Sequence, residues 1–253
     1  MNLRLDYVLV VILIAFANTQ SRAQNPEPIA IIDKAIKAMG GEEKLRKVEV
    51  VTWTMTSNLT QSPGRVKTFT RKETVQGHSH FRTEFDSEAD ASTIGRIDVF
   101  DGEHVWRKSA GKRAFNIGER AGPLWKRHGY LQWVQMMLVD LKGQDHVLEL
   151  AGEDEVFGRP AVGVRVIGPD GKPFTLFFDN ESGLLVKLVT KNVDAQKREI
   201  LEGRLFSNYK DFSGIKIATS LLITNDGQTK VENLITDFKL LRNVTPGTFD
   251  EPK

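Results

Sequence analysis

The chain has 253 residues, with 35 Lys and Arg against 33 Asp and Glu, 40% hydrophobic and 27% charged residues, and no cysteine. This composition excludes wholesale disorder, and a net charge of +2 lacks the basic excess of a dedicated nucleic-acid binder. The missing cysteine excludes disulfide frameworks, thiolate metal sites, cysteine nucleophiles and lipidated cysteine anchors.

Arg4 precedes the unbroken apolar run from Val8 to Ala17. Ten residues rise only about 15 Å as a helix, half of a bilayer core. Ser21 and Ala23 then place small side chains at the −3 and −1 positions of a cleavage site. Residues 1–23 are therefore expected to be a secretory signal peptide, and the mature protein to be soluble and exported. Three sequons follow, at Asn58, Asn180 and Asn243.

Residues 24–47 read as helix. Pro28 suits the first turn, Ile29, Ile32, Ile36 and Met39 share one face, and Gly40-Gly41 ends it, with a short turn possible after Glu42. From Val48 the period becomes two: Val51, Trp53 and Met55 alternate with Thr52, Thr54 and Thr56. Strands are predicted at 66–75, 80–86, 96–100, 104–108 and 113–117, parted by Ser62-Pro63-Gly64, Asp101-Gly102 and Gly111. Residues 121–142 read as a helix. Its stripe is Leu131, Val134, Leu138 and Leu141, with Trp133, Met136, Met137 and Val139 on other sides. Strands resume at 162–166, 174–179, 184–190, 205–212, 215–224 and 230–241, with turns at Asp170-Gly171, Asn180–Gly183, Gly214 and Asp226-Gly227. This is a mainly β (α+β) protein built on an antiparallel meander. Without a linker or charge block, residues 24–253 are expected to form one domain.

Catalytic signals are sparse. His78 and His80 are the suggestive pair, because strand spacing points both rings one way, with Glu84 or Asp86 further along. A metal needs three or four converging ligands, and a third is missing. The carboxylates of Glu153-Asp154-Glu155 read as a polar, turn-like segment. No nucleophile elbow, zincin, P-loop or dinucleotide fingerprint is present. The chain is expected to be neither an enzyme nor a cofactor or metal protein.

Large apolar side chains are the more unusual feature. Trp53, Met55, Phe69, Phe81, Phe85, Trp106, Phe177 and Leu185 are expected to line one sheet face. Trp125, Trp133, Met136 and Met137 on the central helix are expected to cover it. Methionine is flexible enough to accept variable apolar shapes. Burying an acyl chain of about a dozen CH₂ groups gains roughly 10 kcal/mol before binding costs. The competing reading makes these residues ordinary core.

The pattern resembles periplasmic outer-membrane lipoprotein-sorting carriers of the LolA/LolB-like family over about residues 29–251. It is carried by Ala38-Met-Gly-Gly41 with Leu45, Phe100-Asp-Gly102 with Val105-Trp106, and Asp170-Gly-Lys-Pro173. Phe177-Phe-Asp179, Ser182-Gly-Leu184, Tyr209-Lys-Asp-Phe212, Gly214-Ile-Lys216, Asn243-Val and Phe249 continue it. The resemblance implies an incomplete antiparallel barrel, or half-barrel, wrapped around an N-terminal helix and a central lid helix. It also implies an apolar groove for acyl chains. Arg65, Arg71 and Arg82 are candidates for the family's groove arginine, and extra length falls between 86 and 160.

These readings lead to a soluble periplasmic carrier of lipid or acylated lipoprotein cargo, handed on through envelope membrane-protein partners and acting by binding alone. Two rivals stand beside it: a regulatory, sensing or interaction module of the same fold, and a metal-dependent enzyme using His78 and His80. On the lid reading, Trp133→Asp or Met137→Asp weakens acyl binding and leaves the sheet folded.

Overall fold

The computed structural model describes residues 27–62, 64–86, 94–118, 122–194 and 197–253. The leader expected at 1–23 lies outside them. Two short helices open the described chain, α1 (Pro28–Met39) and α2 (Glu42–Leu45). Six strands follow: β1 (Val50–Ser62), β2 (Arg65–Gln76), β3 (His80–Asp86), β4 (Ile97–Phe100), β5 (Val105–Lys108) and β6 (Phe115–Asn116). Helix α3 (Gly122–Val134) and a 3-10 helix (Leu138–Lys142) come next. Seven strands complete the chain: β7 (Val147–Val156), β8 (Arg159–Ile167), β9 (Pro173–Asp179), β10 (Leu185–Val193), β11 (Glu199–Phe212), β12 (Ile215–Asn225) and β13 (Gln228–Leu241).

All 13 strands form one antiparallel sheet in the order β6-β5-β4-β3-β2-β1-β13-β12-β11-β10-β9-β8-β7. The chain starts in the middle of the sheet and runs as a meander to one edge. It crosses through α3 and the 3-10 helix, then returns from the other edge until β13 pairs with β1. The sheet is open between β6 and β7, so this is the incomplete barrel with helices expected from the sequence.

The first helix ends at Gly40-Gly41 as the sequence predicted, and the short turn after Glu42 is α2. Gly40 takes a φ of +131°, and a Cβ there would lie 2.1 Å from the Gly214 carbonyl oxygen, so only glycine lets α1 stop against the β11–β12 turn. The packed face is Ile31, Ile32, Ala35, Ile36 and Met39. Ile29, in the first turn, stays 41% exposed.

The expected helix over 121–142 breaks at Gln135–Met137, where Met137 takes φ −130° and ψ 74°. The carboxylate of Asp140 sits under the break and accepts hydrogen bonds from Trp133 Nε1 (2.6 Å) and His78 Nε2 (3.0 Å). Leu131, Val134, Leu138 and Leu141 are all buried, on two elements rather than one stripe. Gly129 lets α3 approach β3, because a Cβ there would come within 3.1 Å of the Phe81 ring.

Strand β7 contradicts the turn-like reading of Glu153-Asp154-Glu155. It is an edge strand, exposed along most of its length, with a register shift between Leu150 and Glu153. A strand wetted on both faces shows no apolar alternation, and so it escaped the sequence pattern.

Candidate functional site: a clasped lid over the open sheet

Strand register builds the inner face in rows. Val51, Val75, Phe81, Phe100 and Val105 align across β1–β5 as an apolar row. One step along, Trp53, Glu73, Thr83, Asp98 and Arg107 align, and Met55, Arg71 and Phe85 form the next row. The face grades from apolar to charged along the strands, where the sequence reading expected it to be apolar throughout.

Helix α3 lies over this gradient and is tied to both halves of the sheet. On one side the Trp125 ring stacks on Phe81 with centroids 4.8 Å apart. On the other, Arg127 Nη1 donates to both carboxylate oxygens of Asp170 (3.0 and 2.9 Å) and Nη2 donates to Thr190 Oγ1 (3.2 Å).

A buried polar chain completes the bridge. Ser57 Oγ donates to Asn233 Oδ1 (2.6 Å), Arg71 Nη1 donates to Ser57 Oγ (2.9 Å), and Arg71 Nε donates to Glu73 Oε1 (2.5 Å). Gln132 Nε2 at the end of α3 donates to Glu73 Oε2 (3.4 Å), and Gln135 Nε2 donates to Gln132 Oε1 (2.5 Å). Arg204 then donates from Nη1 to Gln135 Oε1 (3.2 Å) and from Nε to Glu202 Oε1 (2.8 Å). Ser57, Glu73, Gln132, Gln135, Arg204 and Asn233 are all buried. Burial works against the charge of Glu202, but the charge and hydrogen bond of Arg204 outweigh it and hold the carboxyl below its ordinary range. The His128 ring faces the solvent-filled cleft yet is crowded by protein and lies in the field of Arg204 and Arg71, which lowers its pKa.

This chain divides the interior into two spaces. Beneath it is a cavity of about 30 Å³ bordered by Met39, Trp53, Met55, Met136, Phe206 and Ile217. That is room for about one water. The roomy hollow expected from the sequence is therefore closed in this state by the protein's own side chains. Beyond the chain is a cleft of about 410 Å³ with Phe81, Phe85 and Trp125 in its walls and arginines around them.

The sequence-predicted residues separate accordingly. Trp53, Met55 and Met136 border the cavity, and Phe81, Phe85 and Trp125 border the cleft. Trp133, Met137 and Leu185 are packed core. Phe69 is half-buried, 6.1 Å from Phe85 by ring centroids. Two assignments are corrected. Val105 and Arg107 face inward, so Trp106 faces outward, where its Nε1 donates to Asp101 Oδ2 (3.0 Å). Leu176 and Phe178 face inward, so Phe177 faces outward beneath Lys187. Of the three arginine candidates, Arg71 reaches the inner face, Arg65 is exposed and Arg82 pairs with Glu84 on the outer face.

His78 and His80 diverge. His78 sits on the β2–β3 turn against Asp140, while the His80 ring lies 5.5 Å from that of Phe249 in the C-terminal segment. Among the described residues no group of three His, Asp or Glu could hold a metal, and no helix is long and apolar enough to cross a membrane.

The Asp140 contact has a pH signature. Burial raises the Asp140 pKa, but hydrogen bonds from His78 and Trp133 outweigh it and leave it below the ordinary value. A carboxyl depressed in the folded state contributes stability that is complete above its unfolded pKa, about pH 4, and is lost as pH falls through the folded value. Asp140→Asn is expected to lower stability at pH 7 by about 1 kcal/mol, discounted for partial exposure, and by much less at pH 2. Urea titrations at the two pH values check it.

Apart from Arg71, which the resemblance offered as a groove arginine, the polar members of the clasp were missed because the inner face was read from its large apolar side chains. Their signal was parity: Arg71 and Glu73 share the strand face of Phe69 and Val75.

No protein-family model matches the sequence, and no curated protein matches it significantly. Solved structures do. A LolA superfamily protein from Nitrosomonas europaea is similar at TM-score 0.58 and 11% identity, covering 89% of this chain and 98% of that one. An outer-membrane lipoprotein-sorting protein domain from Vibrio parahaemolyticus is similar at TM-score 0.57 and 16% identity, covering 87% and 97%. A DUF1329 family protein from Desulfovibrio piger is similar at TM-score 0.59 and 14% identity, covering 89% and 98%. An open antiparallel sheet bridged by a helix across its gap, matched over most of its length by these structures, is the LolA-like fold, and this chain has it.

Proposed function

We propose that this protein is a carrier in the cell envelope that takes an acyl chain of a lipid or lipidated protein into its apolar interior beneath α3. The observation that carries this reading is the placement of α3 over the sheet gap, above a cavity walled by Met39, Met55 and Met136. Methionine side chains repack at low cost. The apolar leader-like run at 8–17 and the fold shared with a lipoprotein-sorting domain support a periplasmic location. The mechanism is binding rather than bond-making. The cavity holds about one water when closed, so an acyl chain enters only if the clasp parts and α3 swings away. A dozen buried CH₂ groups contribute roughly 10 kcal/mol of gross gain toward offsetting the lost lid contacts. The test is native mass spectrometry with lipid extraction of protein purified from its own envelope. Copurifying acyl lipid is expected; a protein recovered free of lipid overturns the reading.

A second reading, an interaction module, is favoured by one feature. Edge strand β7 exposes Val147 and Leu150 beside an unpaired edge. Capture of a stoichiometric envelope protein by a lipid-free chain would favour it.

A further inference from the structure

We propose that the free edge of β7, with the groove between it and α1, is a docking site for an extended segment of a partner protein that carries Lys or Arg at alternate positions and adds as a further strand. This gives the exposed edge a partner of stated chemistry, and it holds with or without an acyl chain in the interior. β7 ends the sheet at the gap, and among the described residues no backbone hydrogen bond reaches its free side. The Glu155 N–H donates to the neighbouring Asp154 carboxylate (2.8 Å), a local contact. Between Leu150 and Glu153 the register with β8 shifts, and Gly152 takes a φ of +82°. Beside this bulge is a groove of about 430 Å³, with Ile31, Leu150, Val162 and Phe178 as its apolar walls. Leu150 is 40% exposed there.

The charges of β7 are balanced on one face and not on the other. Glu149 and Asp154 lie on the outer face, paired with Arg165 and Lys187 at 2.6 Å each. Glu153 stands opposite Val162, and Val162 opposite the inward-facing Phe178, so Glu153 and, two residues on, Glu155 share the inner face. Among the described residues neither of these carboxylates has an ion-pair partner. Lys34 is the cation that borders the groove, and its Nζ donates to the Asn180 carbonyl (2.6 Å). Asp179, in the groove wall, is paired with Arg159, which also holds Glu181. The carboxylates here therefore exceed the cations even with Lys34 counted, and the excess lies on the inner face.

Charge decides the occupant. An inward-pointing carboxylate on an edge strand deters unselective pairing, because an added apolar strand would bury it unpaired. A second copy of this chain would set acidic β7 against acidic β7, with like charges across the new pair. A basic segment removes both costs. Side chains at i and i+2 of an added strand share a face, so cations at that spacing stand directly beside Glu153 and Glu155. The segment's backbone meanwhile pairs the open edge. The same carboxylates that keep other strands away thus select this one.

The experiment titrates the full chain at low salt, by nuclear magnetic resonance, with three blocked octapeptides: alternating Lys and Thr, the same residues in two blocks, and alternating Glu and Thr. The alternating basic peptide is expected to bind about fivefold or more tighter than the block peptide and to slow hydrogen exchange in β7. Glu153→Gln with Glu155→Gln should bring that ratio close to one, and Glu232→Gln on β13 should leave it unchanged. Equal binding of the two basic peptides overturns strand addition, and acidic peptide binding as tightly overturns the charge selection. A ratio that survives the double variant in a folded protein overturns the assigned site. Failure of all three peptides to bind overturns the inference. A dimer in sedimentation that the basic peptide cannot displace from β7 makes a second copy the occupant and overturns the choice of partner. If the double variant does not fold, protection of the β7 amides by the alternating peptide decides. Lipid extraction of the same preparation tests the carrier reading separately.

Discussion

Met137→Asp is expected to unfold the protein rather than merely loosen a lid. Met137 is 0% exposed, at the break between α3 and the 3-10 helix, inside the main apolar core. A carboxylate there has no partner, and burying one costs several kcal/mol even after its pKa rises to neutralise it. A domain with stability of about 5–15 kcal/mol loses most or all of it. Trp133→Asp acts the same way and also removes the donor to Asp140. This replaces the expectation from sequence, in which both variants stay folded and lose only acyl binding. Far-UV circular dichroism and a urea titration check it, with Met137→Leu as the control expected to cost under about 1.5 kcal/mol. A Met137→Asp variant that melts like the wild type would mean that residues 135–142 detach freely from the core.

Arg204→Met is the second large effect. Arg204 and Glu202 have side chains 7% and 12% exposed, and Arg204 also holds Gln135. Removing the arginine strands a buried carboxylate whose pKa its charge had lowered, at a cost of about 3–5 kcal/mol. The double variant Arg204→Met with Glu202→Leu should recover most of that loss, because no uncompensated charge remains. The distinction matters for the lid. If the clasp matters mainly for holding α3 closed, the double variant regains stability but shows faster hydrogen exchange in α3 than the wild type. Equal exchange rates would mean that packing alone, through Trp125 and the buried residues 129–134, keeps α3 seated.

The same two sites show where sequence reading worked and where it stopped. Strand β12 was legible because it alternates strongly between Gly214 and Asp226-Gly227, and β4 because it runs into Asp101-Gly102. β7 was not, because an exposed edge carries no apolar period. The break at 135–137 has no Gly or Pro to announce it; hydrogen bonds to Asp140 from nearby Trp133 and from distant His78 on the β2–β3 turn stabilise it. Trp106 and Phe177 were read by residue type, whereas strand parity points them outward.

Local period and turn chemistry determined the class of this protein: mainly β, antiparallel, with helices at its start and centre. Those signals act over a few residues, and the chain's own order carries them. The closure of the cavity, the Arg71–Gln132–Arg204 clasp and the cleft beside α3 were decided only by tertiary structure. Each is made by residues from strands on opposite sides of the sheet gap, such as Glu73 and Arg204, which come together only when α3 crosses it. Partners far apart in sequence leave no local pattern, because the burial and pairing that stabilise them exist only in the folded state.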